Sequence, residues 1–498
     1  MKNNYEKFQE QMNELAVIGS IGGLLAWDNE VYKPSKAEGI RAQQNAFISS
    51  LLHEKFTNVD FENLVADLQK DASLNAEQKI NVEKVFVDIQ KQKKFSKEFV
   101  EKQSHIISEA FGKWHQAKTQ NDFSLFEKSL EQIVALSKES AEIIGYKEHP
   151  YDALLDSYEP GMTTAKLKVI FAKVKEELVP FYNSLLQKKQ VDDTCLNQHY
   201  EKQKQWDISI ELLKQMGYDF TAGRQDYSSH PFSIGLHPTD VRITTRADEK
   251  NLSELIWSAL HEGGHALYEQ GLLPEHFGLP QGNSASLGIH ESQSRLWENN
   301  VGRSLSFVKA NYSLFQHTFP EVFGKVDLID FYKAINKVEP GLIRTNADEI
   351  SYHLHVLIRF EIEVALMEDK VKVKDLPELW NAKYKEYLAI DVPSNNVGVL
   401  QDVHWSHGSL GYFPTYSIGS FYAAQFFAHA QKNIPQLNDK IEQKETTELL
   451  FWLRKNIHEK GRLYNSEEIC EQVTGEGLNF EYFINYVKTK YSEIYQEK

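Results

Sequence analysis

Asn251-Leu-Ser-Glu-Leu-Ile-Trp-Ser-Ala-Leu-His261-Glu262-Gly263-Gly264-His265-Ala-Leu-Tyr-Glu-Gln-Gly271 is the stretch on which the reading of this chain turns. Asn251 with Glu254 three places on predicts a capped helix start, and Gly271 is placed to end the same helix. At about 100° per residue, Leu252, Leu255, Ile256, Ala259, Gly263, Ala266 and Leu267 share one face. His261 and His265 lie together on roughly the opposite side, outside the apolar stripe. Residues at i and i+4 sit about 6 Å apart at Cβ, so two imidazoles can converge on one ion, and Glu262 is turned to flank that ion as a general base. Each interior glycine costs about 1 kcal/mol relative to alanine, so Gly263 and Gly264 predict a close approach by another backbone or by substrate.

A hydrolytic zinc needs a third protein ligand and an open position for water. The segment Leu287 to Trp297 reads as the start of a second helix, following the turn Leu279-Pro280-Gln281-Gly282-Asn283. Glu291 is the favoured ligand, because His-His-Glu with water is a recurrent hydrolytic set. His290 competes for the role. Adjacent helical residues diverge by about 100°, so only one of the two is expected to reach the ion.

The rest of the chain is mainly α. Glu98 to Ala117, Asp122 to Ile144, Thr164 to Gln187 and Gln205 to Met216 repeat apolar residues at three- and four-residue spacing. Strand signals cluster in Phe232 to Gly235 and Asp240 to Arg246, which predicts a small β-sheet just ahead of the motif helix. With 498 residues, 41% of them hydrophobic, the chain can bury a large core. No repeat or compositional break divides it, so a single catalytic domain over 1–498 is expected, with a helical subdomain within 1–210 and the metal site within 225–420. Cys195 and Cys470 are too few for a disulfide framework and read as core thiols in a reducing cytoplasm. No apolar run approaches a membrane span or a signal peptide. A net charge of −16 argues against a nucleic-acid partner.

Six motifs in order, the pentad among them, make the chain resemble the thermostable (Taq-type) metallocarboxypeptidases over nearly its whole length. They are His230-Pro231-Phe232; Asp240, Arg242 and Thr244; the pentad itself; His290-Glu291-Ser292-Gln293; Ile343, Arg344, Ala347 and Asp348; and Gly398, Gln401, Asp402, His404 and Trp405. Trp27-Asp28 with Arg41 and Gln44 resembles the family's opening, although Val31-Tyr32-Lys33-Pro34 departs from its usual pattern. The resemblance implies a saddle-shaped helical fold around a long substrate groove. It also implies a homodimer that releases single C-terminal residues from peptides with broad specificity. One Zn2+ per chain, or Co2+ or another divalent ion, would be held by His261, His265 and Glu291, with Glu262 as proton acceptor. Tyr416 is the first candidate for oxyanion stabilisation, with His404 and Tyr412 behind it. Arg344 is the candidate partner for the substrate's terminal carboxylate, against the simpler reading of an ion pair with Asp348. Arg242 and Arg246 are weaker candidates. His230 could line the cleft near the metal. His353 and His355 are two apart and diverge, and a second metal at His404 and His407 is disfavoured.

Overall fold

The computed structural model describes residues 3–496, of which helix is the dominant element at 69% of the structure, so the chain is mainly α as its periodicity predicts. Helices occupy Lys97–Gln120, Ser124–Ile144 and Lys202–Met216, close to the expected bounds. The segment from Thr164 is helical through Leu186 but interrupted by a π-turn at Val174–Leu178. Pro180 follows after Val179; it has no N–H to donate, and a widened turn is one way a helix accommodates such a gap.

The backbone divides into two compact units, each assembled from three separate stretches of chain: 1–92, 193–335 and 423–477 in the first, and 93–192, 336–422 and 478–498 in the second. In the first unit, Tyr5, Phe8, Met12 and Leu15 of the opening helix Asn4–Val31 pack with Phe61, Val65, Val82, Val85 and Ile89 in one buried cluster. In the second, Phe171 stacks on Phe360 at 4.7 Å, and Trp380 stacks on Tyr384 at 5.1 Å. Lys490 and Glu349 form a buried ion pair of 2.9 Å that ties the last helix, Glu481–Ile494, into the second unit. Cys195 and Cys470 are both buried, and burial pushes the Cys470 thiol up to about 12, so it is not a nucleophile at neutral pH. Among the described residues, no helix is long and apolar enough to cross a membrane.

The sheet belongs to the first unit and has three strands, β1 (Gly223–Tyr227), β2 (Phe232–His237) and β3 (Asp240–Thr245), in the order β1-β3-β2. β2 and β3 lie where the sequence signals place them. β1 is an addition. Its sequence, Gly-Arg-Gln-Asp-Tyr, has no β-branched run, and its place comes from parallel pairing with β3 and from Gln225, whose amide donates to Thr245 Oγ1 (2.9 Å).

The motif helix, Leu252–Glu269, packs on β2, β3 and Lys202–Met216, and on the return helix Leu287–Arg295. Asn251 caps it by accepting from Ser253 N–H (2.9 Å). Glu254 does not reach back as the capping pattern predicts, because Arg246 takes its carboxylate instead. The paired glycines answer two neighbours. A Cβ on Gly263 would lie 2.6 Å from Leu213 Cδ2, and one on Gly264 would lie 2.5 Å from the Gln293 carbonyl oxygen and 2.6 Å from Ser294 Cα. The close approach expected of the pair is therefore the return helix backbone at Gly264. Gly271 has a different reason for being glycine than a left-handed helix end: a Cβ there would sit 2.3 Å from His458 Nδ1.

Since backbone cannot yield as a flexible side chain can, Gly264→Ala is expected to destabilise the protein by about 1–3 kcal/mol or more. It should also lower metal retention, because the return helix must move. Urea unfolding with metal analysis of the purified variant checks this; an unchanged midpoint and metal content would contradict the contact.

Candidate metal centre

Among the described residues, one cluster has the composition and spacing of a metal site: His261, His265 and Glu291, whose ligand atoms all lie within 4.8 Å of one another. Glu291 Oε2 is 3.5 Å from His261 Nε2 and 3.3 Å from His265 Nε2. Ligand atoms about 2.0–2.1 Å from a tetrahedral ion are separated by about 3.4 Å. The two edges from Glu291 fit that spacing.

Each donor is held from behind. His261 Nδ1 meets Glu298 Oε2 at 2.9 Å, and His265 Nδ1 meets His290 Nδ1 at 2.6 Å, so both rings are oriented by Nδ1 with Nε2 turned to Glu291. Glu291 Oε1 accepts from Arg295 Nε (2.7 Å), while Ser294 Oγ donates to Oε2 (2.9 Å). Arg295 also donates to Glu298 Oε2 (3.1 Å), and Arg303 to Glu298 Oε1 (3.3 Å). His290, the competitor for the third position, stands behind His265 rather than beside Glu291.

Burial sets the protonation states. It would raise Glu291, but Arg295 and the two histidines hold that carboxyl well below the usual range, and Arg295, His261 and Arg303 do the same for Glu298. Burial drives His265 down to about 3, with His290 and His261 adding to the shift against Glu291, so its imidazole is neutral. His261 is also desolvated, yet Glu291 and Glu298 carry it above its ordinary value. Glu262, beside His261 on the motif helix and 7% exposed, is raised to about 7 by burial and then by the charge of Glu291, against His261 and a hydrogen bond from Ser233. A neutral imidazole, an ionised carboxylate and a poised buried carboxyl are what a hydrolytic centre requires.

Glu298 escaped the sequence reading. Its signal is only its spacing, seven residues after Glu291 and so two turns along the same helical face. It lies in a π-turn, Leu296–Val301, that continues the return helix. His230 is exposed in the turn before β2, where its carbonyl accepts from Ser228 Oγ (2.6 Å). Arg242 is paired with Asp240 (2.7 Å) and lies over the Trp27 ring, and Arg246 is paired with Glu254. The matched opening residues also pair, Arg41 with Asp28 at 2.5 Å and with Gln44 at 3.0 Å.

The remaining sequence candidates lie in the second unit. Arg344 is buried and donates through Nε (3.0 Å) and Nη2 (2.9 Å) to Asp402 Oδ1, and through Nη1 to Tyr352 Oη (3.2 Å). Asp348 is not its partner; Asp348 caps the next helix, accepting from Ile350 N–H (2.9 Å) and Ser351 N–H (3.0 Å). Arg359 takes the other oxygen of Asp402 at 2.6 Å. Two buried guanidinium groups thus share one carboxylate, and these three groups carry a net charge of +1. Tyr416 lies beneath Arg344, with 4.8 Å from the guanidinium carbon to the ring, and its hydroxyl is 3.1 Å from His404 Nε2. Tyr412 packs against both His404 and Tyr416. Burial lowers His404 to about 4 despite Asp402. His353 and His355 diverge, to Ser417 and Tyr384. His407 stacks on Phe111 at 5.3 Å.

Glu363 is a fully buried carboxyl of this unit that sequence reasoning missed. It accepts from Tyr151 Oη (2.6 Å), Trp405 Nε1 (2.8 Å) and Gly411 N–H (3.0 Å), and so pins both ends of the loop between His404 and Tyr412.

The family model described as Carboxypeptidase Taq (M32) metallopeptidase matches residues 7–491 of this chain. The chain is 39% identical to thermostable carboxypeptidase 1 of Thermus thermophilus and 37% identical to carboxypeptidase 1 of Bacillus subtilis, each match covering 99% of both chains. The solved M32 carboxypeptidase of Deinococcus radiodurans R1 superposes with a TM-score of 0.98 at 36% identity, over 99% of this chain and 100% of that one. The chain belongs to the Carboxypeptidase Taq (M32) metallopeptidase family and is a metallocarboxypeptidase, a peptide-bond hydrolase of a kind that works with a divalent metal ion.

Proposed function

We propose that this carboxypeptidase is zinc-dependent, holds one Zn2+ per chain on His261, His265 and Glu291, and releases single residues with broad specificity from peptides that have a free C-terminus. Co2+ or another divalent ion is the alternative occupant, since a His-His-Glu set does not by itself select the metal. The observation that carries the reading is the convergence of two Nε2 atoms and one carboxylate oxygen, each oriented from behind, next to the buried carboxyl of Glu262. We also propose a cytoplasmic homodimer whose whole length forms one catalytic domain, with its helical subdomain within 1–210.

The chemistry an ion supplies in such a centre is acidification of a water and polarisation of the scissile carbonyl. Glu262 accepts the proton of the attacking water and passes it to the leaving amine. Its raised affinity for protons near neutrality suits both transfers. Tyr416, with His404 at its hydroxyl, is assigned to the tetrahedral oxyanion. Arg344 is assigned to the substrate carboxylate. In support, Asp402 and Tyr352 occupy three of its five N–H groups, and the surplus positive charge shared with Arg359 favours one more anion. Tyr412 and His230 are kept as substrate contacts.

A chelator is expected to abolish hydrolysis, and Zn2+ or Co2+ to restore it. Mass spectrometry of one unblocked peptide should show products shortened by one residue at a time, with the C-terminally amidated peptide left intact. Internal fragments would refute the exopeptidase direction.

Glu262→Gln is expected to lower kcat by about 10²–10⁴-fold with metal content unchanged. In the metal-free protein the same variant should be the more stable. The Glu262 carboxyl is protonated up to about 7 when folded and to its ordinary 4.5 when unfolded. Stability is therefore lost as pH rises through that window, reaching about 3 kcal/mol at pH 8. Thermal melts of chelated wild type and variant should diverge between pH 5 and pH 8; parallel curves would contradict the burial argument.

Arg344→Lys keeps the charge but not the planar fork, and is expected to lower kcat/KM for unblocked peptides by about 10–100-fold, a loss of charge-assisted hydrogen bonds. A kcat/KM equal to that of wild type in a folded variant would remove Arg344 from the carboxylate role.

A further inference from the structure

His261 is backed directly by a carboxylate, whereas His265 is backed by another histidine, and the hydrogen-bond chain continues one step further: His290 Nε2 lies 2.8 Å from Glu269 Oε1. We infer that His290 and Glu269 are positioning residues that set the tautomer and orientation of His265 through this two-bond relay, and so control the affinity of the centre for its metal. The inference rests on the proposal that His265 is a ligand.

The proton assignments follow from what each group can do. A carboxylate only accepts, so His290 Nε2 carries the hydrogen of the bond to Glu269. In the neutral ring, His290 Nδ1 then carries the lone pair and accepts. The 2.6 Å contact with His265 Nδ1 requires one donor and one acceptor, so His265 Nδ1 bears the hydrogen. His265 Nε2 is left with its lone pair on the side of Glu291 Oε2, 3.3 Å away. A carboxylate two hydrogen bonds distant thereby dictates which nitrogen of His265 can bind a cation.

The surroundings hold the relay in place from three sides. Glu269 closes the C-terminal end of the motif helix, and its carboxylate packs against β2 where Gly235 leaves room: a Cβ there would lie 2.4 Å from Glu269 Oε2. The His290 ring packs edge-on to Tyr268 with 5.2 Å between ring centroids, and Tyr268 Oη in turn accepts from Ala285 N–H (3.0 Å). His290 itself follows the Ser286 cap of the return helix, whose Oγ accepts from Ile289 N–H (3.0 Å). The same turn that presents Glu291 to the centre therefore also presents the ring that orients His265.

The test is Zn2+ affinity of metal-stripped protein, by competition with a chromophoric chelator, for wild type, Glu269→Ala, Glu269→Gln, His290→Leu and His265→Ala. Loss of an outer partner of a metal-bound histidine lowers affinity by about 10–100-fold. Glu269→Ala and His290→Leu are expected to show that loss while the melting temperature of the metal-free proteins stays near that of wild type. Glu269→Gln, whose amide oxygen still accepts from His290, should fall between wild type and Glu269→Ala. Wild-type affinity in Glu269→Ala would overturn the relay, and that variant decides alone if His290→Leu does not fold. Wild-type affinity in His265→Ala would instead overturn the ligand assignment, a separate outcome.

Discussion

The backbone contact between Gly264 and the Gln293–Ser294 peptide is the constraint on which the centre depends. A helix can carry two histidines at i and i+4 without help, but the third donor has to come from another element. Only when the return helix lies closer than a side chain would permit does Glu291 reach within 3.5 Å of both imidazoles. The cost of two glycines inside a helix is offset by the packing they permit. Gly271 with His458, and Gly235 with Glu269, repeat the device around the same helix. Absent side chains hold the partners as firmly as present ones.

The second requirement is electrostatic. The first unit buries Glu262 and Glu291 and largely covers Glu298 close to them, and isolated buried carboxylates are expensive. Arg295 bridges Glu291 and Glu298, and Arg303 takes the remaining oxygen of Glu298, so two of the three are ionised at little penalty. Glu262 is pushed the other way, because burial outweighs the opposing charge of His261. Similar carboxyl groups are thereby separated in proton affinity by their surroundings, which supports the proposed division of roles between Glu291 and Glu262. The Arg344–Asp402–Arg359 group of the second unit is balanced differently, with one positive charge in excess.

How much of this was legible in the sequence depended on whether the signal was local. The motif helix, its Asn251 cap and the strands β2 and β3 were, because periodicity, capping and β-branching act within a few residues. β1 was not, since Gly223–Tyr227 becomes a strand only through pairing with β3 and through Gln225 reaching Thr245. The π-turns also lay beyond a periodicity argument. Arg344 was identifiable, but its partner was not: the ion pair runs to Asp402, 58 residues away, and not to the neighbouring Asp348. Glu298 and Glu363 show the same limit, for each acts through donors that only folding brings to it.

By itself the sequence determined the helical class, the pair of histidines on one helix face and, through motifs repeated in order, the metallocarboxypeptidase family. The tertiary structure decided between His290 and Glu291 as the residue facing the two imidazoles. It also decided which carboxylates stand behind the rings and which buried carboxyl keeps its proton near neutrality. The reason is physical: helix phase and residue chemistry are properties of a short stretch. Donor partnership and desolvation are properties of whatever folding packs against it.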